Sequence, residues 1–154
     1  MSEAKAKRGR PKTPIVLVKR LADNAVVPKV ATLSSAGFDL SSVERVELST
    51  GSRVVVDTGI SLEIPRGFEG QVRPRSGLAF KYGLTVLNAP GTIDSDYRGP
   101  VKVILYNTGP DYVVEPGDRI AQLVIQRVPK VKFEMTEELS ETERGDGGLG
   151  STGR

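Results

Sequence analysis

Apolar residues in this chain come in short runs rather than in helical stripes. Val, Ile and Leu cluster at 15–18, 53–56, 60–64, 101–106 and 119–127, and Gly, Pro, Asn or Asp punctuates the intervals. That spacing predicts strands separated by turns. Alternation is clearest in the last run, where Ile120, Gln122, Val124 and Gln126 fall on one face and Ala121, Leu123 and Ile125 on the other. Turn chemistry appears at Pro65-Arg66-Gly67, Pro90-Gly91, Thr108-Gly109-Pro110 and Pro116-Gly117-Asp118. Only residues 76–82 carry a helical pattern, with Ser76 placed to cap the start and Gly83 to stop the end. Many short strands predict an all-β jelly roll or closed barrel with one short helix.

The two ends lack any core pattern. Residues 1–13 are small and charged and read as a disordered basic tail, 14–139 as the β domain, and 140–154 as a flexible Gly-rich arm. A length of 154 residues fits one domain. With four Phe, four Tyr and no Trp, the core must be aliphatic. The tail holds Lys5, Lys7, Arg8, Arg10 and Lys12 against Glu3, so it carries +4 of the net +3 and leaves the body at −1. The body is therefore not an obvious nucleic-acid surface. No apolar run approaches the ~20 residues of a membrane span, and no apolar segment follows the basic start. A cytoplasmic protein without a membrane partner is expected.

Absent residue types narrow the chemistry. Without Cys there is neither a disulfide framework nor a thiolate metal site. Without His the commonest general base, the usual zinc ligand and every Ser-His-Asp or Cys-His arrangement are gone. A hydrolase built from this chain needs a carboxylate, Lys or Tyr as its base, and a divalent ion would be magnesium-like with oxygen ligands.

Five segments stand out, each with a plainer alternative. Arg73-Pro-Arg-Ser-Gly77 opens the helical segment and suits an anion at a helix N-terminus, or is a capped turn with surface arginines. Residues 88–99 lie between two apolar runs, so they read as a hairpin that could hold a base or bind a nucleobase; Asp94, Ser95 and Asp96 are equally good turn formers. Gln122 sits among apolar residues and needs a partner, protein or ligand. The segment from Arg144 to Gly153 could wrap a phosphate or be a loose tail; its Arg-Gly-Asp tripeptide at 144–146 is a chance match to an adhesion motif. Lys7-Arg-Gly-Arg-Pro-Lys12 resembles an AT-hook, which lays arginines in a narrow minor groove, or is a solvated basic tail.

Taken together, Ala36-Gly-Phe-Asp-Leu40, Arg75-Ser-Gly-Leu-Ala79, Gly91-Thr-Ile-Asp-Ser-Asp-Tyr-Arg-Gly99, Gly117-Asp-Arg-Ile-Ala-Gln122 and the segment from Arg144 to Gly153 resemble, in order, the five motifs of the trimeric dUTPase family. The resemblance implies a jelly-roll-like distorted barrel, a homotrimer with sites shared among three chains, and Mg2+-assisted hydrolysis of dUTP to dUMP and pyrophosphate. That reaction limits uracil in DNA and supplies dUMP for dTMP synthesis. It further implies that Asp94 is the base that orients the attacking water. Asn88, Gly91, Thr92, Ile93 and Asp94 would read uracil, with Lys102 closing the pocket and Tyr97 under the deoxyribose. Arg75, Ser76, Gly77 and Gln122 would hold the α- and β-phosphates. Arg144, Gly150, Ser151 and Thr152 of the arm would grip the γ-phosphate, with Leu149 over the base. No dedicated protein metal cage is visible, so magnesium would be held by substrate phosphates, with Asp39 assisting through water.

Three features depart from the family pattern: Leu149 stands where an aromatic residue is usual, Phe38 where Tyr is usual, and the basic tail is extra. Two rivals remain. A dCTP deaminase shares the fold, and a non-catalytic nucleotide- or DNA-binding regulator could use the tail.

Overall fold

The computed structural model describes residues 13–148. Its strands are, in chain order, β1 (Leu17–Arg20), β2 (Lys29–Val30), β3 (Gly37–Ser41), β4 (Val46–Leu48), β5 (Arg53–Glu63), β6 (Phe68–Arg73), β7 (Leu84–Val86), β8 (Gly91–Ile93), β9 (Pro100–Asn107), β10 (Tyr112–Val114) and β11 (Arg119–Arg127), with one helix, α1 (Ser76–Tyr82), between β6 and β7. They form a four-stranded sheet ordered β1-β5-β9-β7, a five-stranded sheet ordered β2-β3-β11-β6-β8 and a β10-β4 ribbon. The β architecture with a single short helix matches the fold expected from the alternation.

Period-two patterning drives this packing. In β9, Val101, Val103, Leu105 and Asn107 point inward while Lys102, Ile104 and Tyr106 point outward. Val56, Ile60 and Leu62 of β5 meet them from the neighbouring strand, and Leu40, Val72, Ile93 and Leu123 close the core from the other sheet. Burying each such side chain contributes about 1.5–3 kcal/mol, so a Val103→Asp change would place an unpaired charge at the centre. The inward Asn107 is fully buried and satisfied: Nδ2 donates to Leu48 O at 3.0 Å and Pro110 O at 2.8 Å, and Oδ1 accepts from Gly109 N at 2.9 Å.

Local expectations are corrected in four places. The run at 15–18 is shifted, because antiparallel pairing with β5 sets Leu17 opposite Glu63 and Arg20 opposite Ile60. The runs at 53–56 and 60–64 are one strand. Asp57-Thr58-Gly59 is a bulge, where the β9 register shifts and Gly59 takes φ +66. The turn-forming side chains there find partners instead: Thr58 Oγ1 donates to Val101 O at 2.6 Å, and Asp57 Oδ1 accepts from Gly59 N at 2.7 Å. A similar shift between Arg119 and Ala121 buries both Ile120 and Ala121, and Leu123 and Val124 are also buried side by side, so β11 does not keep the expected alternation. Finally, Ser76 is the first helical residue and not the cap. Arg75 is the N-cap, in extended conformation, and makes no side-chain capping bond.

The helix stops at Gly83, whose φ of +68 suits glycine and whose missing Cβ would fall 2.5 Å from Gly109 N. Tyr82 at its end packs on Tyr112 with ring centroids 4.9 Å apart. Burial, and then the Asp118 carboxylate, push the Tyr112 phenol above its ordinary 10.0. The 88–99 segment does join two paired strands, since β7 and β9 are antiparallel neighbours. It does more than turn, because its β8 residues leave that sheet and pair with β6 in the other. No helix among the described residues is long and apolar enough to cross a membrane.

Candidate active site

Two of the clefts on the outer surface of the barrel carry motif or candidate site residues on most of their walls. The first, of about 400 Å³, is lined by Gly37 and Asp39 of β3, Arg75, Ser76 and Gly77 at the start of α1, and Arg119 and Gln122 of β11. Pairing of β3 with β11 sets Asp39 directly opposite Gln122. The Asp39 carboxylate is shared by two guanidiniums: Oδ1 accepts from Arg75 Nε and Oδ2 from Arg119 Nη1, each at 3.1 Å. Arg75 Nη1 also donates to Arg119 O at 3.1 Å, which fixes the residue before the helix. Leu78 N and Ala79 N both donate to Arg75 O, so the Ser76 and Gly77 amides precede the first backbone bonds of the helix. Two cations against one anion, beside free amides, favour an anionic ligand.

Gln122 reaches this cleft because β3 has a glycine beneath it. A Cβ at Gly37 would collide with Gln122 Oε1 and lie 3.1 Å from Cδ. The Gln122 amide donates to Pro74 O at 2.9 Å, so it has a protein partner and fixes the loop that enters α1.

The second cleft, of about 320 Å³, is lined by Asn88, Thr92, Ile93, Asp94, Tyr97, Lys102, Val55 and Ile104, among others. Gly91 and Ile93 turn inward and Thr92 outward, which is why β8 can present a polar edge while anchoring in the core. Asp94 follows immediately, is exposed, and also borders a larger polar cleft with Asp96, Arg98, Arg66 and Lys130. Asp94 O accepts from Tyr97 N at 3.1 Å. Arg98 Nη1 donates to Ser95 O and Tyr97 O at 2.8 and 2.9 Å, so the turn that carries Asp94 and Tyr97 is held from within.

The two clefts do not merge. Gln122 pairs with Arg73, and Ile93 pairs with Gly70, so Asp94 sits four residues along β6 and two strands across from Gln122. Standard strand spacings put these positions about 16 Å apart. Arg144 joins neither cleft: it is exposed, and its Nε donates to Gly147 O at 2.8 Å. Leu149, Gly150, Ser151 and Thr152 lie outside the described residues, as does the Lys7–Lys12 hook. Two participants had no role in the sequence reading. Arg119 stands inside a quoted motif, but its bond to Asp39, 80 residues away, leaves no local signal. Gly37 likewise stands inside a quoted motif, but its need for a missing Cβ comes from Gln122, 85 residues away in sequence.

No group of three or more Asp or Glu side chains suited to a metal ion occurs among the described residues. Both Asp39 oxygens are occupied by guanidiniums.

The chain matches the family model described as dUTPase over residues 23–153. It is 51% identical to the deoxyuridine 5'-triphosphate nucleotidohydrolase of Nautilia profundicola over 138 residues, 89% of this chain and 97% of that one. The protein of the same name from Hydrogenobaculum sp. is 53% identical over 140 residues, 90% and 97% of the two chains. Among solved structures, a variant Staphylococcus bacteriophage 80alpha dUTPase with dUpNHpp superposes with a TM-score of 0.83 at 30% identity, covering 92% of this chain and all of that one. A variant dUTPase from phage phi11 of S. aureus, described with a coordinated structural Mg(II) ion, gives 0.76 at 26% identity over 80% and 97%. With a family model matched over residues 23–153 and half its residues shared with these relatives along nearly its whole length, this chain belongs to the dUTPase family.

Proposed function

We propose that the chain hydrolyses dUTP to dUMP and pyrophosphate in active sites assembled from neighbouring copies of itself, as a homotrimer. The observation that carries this is the separation of the two clefts. A base must stand within hydrogen-bond reach of the water it activates. Asp94, about 16 Å from Gln122 by strand geometry, is too far to serve phosphates held by its own chain's Arg75, Ser76, Gly77 and Gln122. Each cleft is open on the barrel exterior, so a second copy can bring an Asp94 cleft over a phosphate cleft. The segment after β11 supports further exchange. Val131, Phe133 and Met135 alternate as in a strand yet stand 71%, 99% and 104% exposed on the single chain, a patch suited to burial against another copy.

In the assembled site Asn88 and the backbone of 92–94 bind uracil, Lys102 closes that pocket and Tyr97 lies under the deoxyribose. Asp94 takes a proton from water as its oxygen attacks the α-phosphorus; the bond to the bridging oxygen breaks and pyrophosphate leaves. Arg75, Gln122 and the Ser76 and Gly77 amides hold the α- and β-phosphates. Arg144, Gly150, Ser151 and Thr152 grip the γ-phosphate, and Leu149 covers the base. The donor set fits magnesium carried in mainly on the triphosphate, with Asp39 near its waters: Mg2+ keeps several waters and takes phosphate oxygens, so it needs no protein cage. When bound, it neutralises phosphate charge.

The test is magnesium-dependent pyrophosphate release from dUTP, with dCTP, dTTP and UTP in parallel, for the wild type and Asp94→Asn. Release from dUTP alone, abolished in the variant, supports reaction, specificity and base together. Ammonia release from dCTP would move the assignment to a deaminase. For the basic tail, Gly9-Arg10-Pro11 between basic residues resembles a minor-groove hook for A·T-rich DNA, a solvated tail being the plainer reading. Salt-sensitive DNA binding that disappears when residues 1–13 are removed, with hydrolysis unchanged, supports it; a full-length chain that binds no DNA refutes it.

A further inference from the structure

We infer that Gly99 is the seat on which Tyr97 rests, and that this seat sets the discrimination between deoxyribo- and ribonucleotides. The inference deepens the role proposed for Tyr97 and rests on it.

Backbone conformation does not explain this glycine. Six described glycines have positive φ, and Gly99 is not among them, so an L-residue fits its backbone. Contact does explain it. A Cβ built on Gly99 lies 2.6 Å from Tyr97 Cζ and 2.9 Å from Cε2, and collides with the hydroxyl; its three nearest neighbours all belong to Tyr97. The ring is folded back over residue 99, and its hydroxyl donates to Pro100 O at 3.1 Å, fastening it to the same stretch of chain. Its other side is open, since Tyr97 is 46% exposed and borders the cleft with Asn88, Asp94 and Lys102. The ring thus forms a floor whose height is set by a missing methyl group. Adding that methyl leaves the backbone free to keep its path but forces the ring off it, because real Cβ atoms do not approach ring carbons at these distances. A displaced ring no longer fixes the space beneath the sugar, which is the space that excludes a 2′-hydroxyl.

The experiment compares wild type, Gly99→Ala, Tyr97→Ala and the double variant, reading kcat/KM for dUTP and for UTP by pyrophosphate release. The expected result is a preference for dUTP that falls about tenfold in Gly99→Ala, the scale of one misplaced contact in a fitted pocket, mainly through a raised KM for dUTP. In the Tyr97→Ala background the same substitution changes the preference no further, because the two residues act through one contact. Partial misfolding lowers both substrates equally and leaves the ratio untouched, so the ratio reports the seat alone. If Gly99→Ala keeps the wild-type preference while Tyr97→Ala loses it, the seat is overturned and the sugar role stands. If Tyr97→Ala keeps the preference, the sugar role itself falls, and the seat's consequence with it.

Discussion

Asp39 holds Arg75 by its Nε, at 3.1 Å, and uses its other oxygen to hold Arg119 at the same distance. The carboxylate is about one quarter exposed, so the network is only partly screened by water. Two opposing effects follow from removing its charge. The cleft becomes more positive, which favours a triphosphate, and the Arg75 guanidinium loses the bond that aims it. Binding tracks the first effect and alignment for in-line attack the second. Asp39→Asn is therefore expected to lower kcat by about 10- to 100-fold, the cost of a small misplacement near the reacting centre, while KM for dUTP stays level or falls. Initial rates across a dUTP series read both. A raised KM with intact kcat would assign Asp39 to binding and remove its positioning role.

Asn107 ties the core to the turn that braces the end of α1. Its amide ties Leu48 O and Pro110 O and receives Gly109 N. The adjoining Thr108 donates through both N and Oγ1 to Gly83 O, at 2.9 and 2.8 Å, bracing the end of α1. Replacing Asn107 with Leu strands Leu48 O at a buried position and takes the partner from Pro110 O and Gly109 N, which are part-buried. An unsatisfied buried group costs about 1–3 kcal/mol, so a loss of about 3 kcal/mol is expected. Urea unfolding measures it, and an unchanged midpoint would show that the surrounding turn re-pairs without the amide.

How much of this was legible in the chain depends on the range of the forces. The helix limits at Ser76 and Tyr82 and the full extent of β11 follow from local patterning, because the Gly83 stop and the apolar run of β11 act over a few residues. Local patterning divides β5 at Asp57-Thr58-Gly59, because those residues are turn formers, and only Val101 O and the β9 register make them a bulge. The same limit hid Arg119, whose partner is 80 residues distant, and the special need for glycine at 37 and 99. Motif resemblance brought together residues for Asp94 and Gln122, but the distance between them became apparent only from strand register.

Leu149 offers a test of the arm. The family pattern that the last motif resembles has an aromatic residue at this position, whose face would stack on uracil, whereas Leu149 offers only bulk. Leu149→Phe is expected to tighten binding of a non-hydrolysable dUTP analogue about fivefold, corresponding to roughly 1 kcal/mol of aromatic contact, with kcat unchanged. Calorimetric titration gives the affinity. No gain would mean that the arm's grip comes from its phosphate contacts and that residue 149 does not lie over the base.

The two-cleft geometry makes its strongest prediction for mixtures. On the proposed roles, Asp94→Asn damages only the cleft that carries the base and Arg75→Ala only the cleft that takes the phosphates, so each variant alone should be inactive. If every site takes its base from one copy and its phosphate donors from another, a mixed assembly can pair an intact Asp94 with an intact Arg75. Random reassembly of the two variants in equal amounts then yields about one quarter of the wild-type sites, since each half has an even chance of being intact in a symmetric ring. Refolding the variants together and separately, then comparing pyrophosphate release, decides the matter. Recovered activity in the mixture alone requires sharing between copies. An inactive mixture, with size-exclusion chromatography showing that assemblies formed and exchanged, would mean that one chain closes its own site and that the separation in the single chain is bridged by a conformational change.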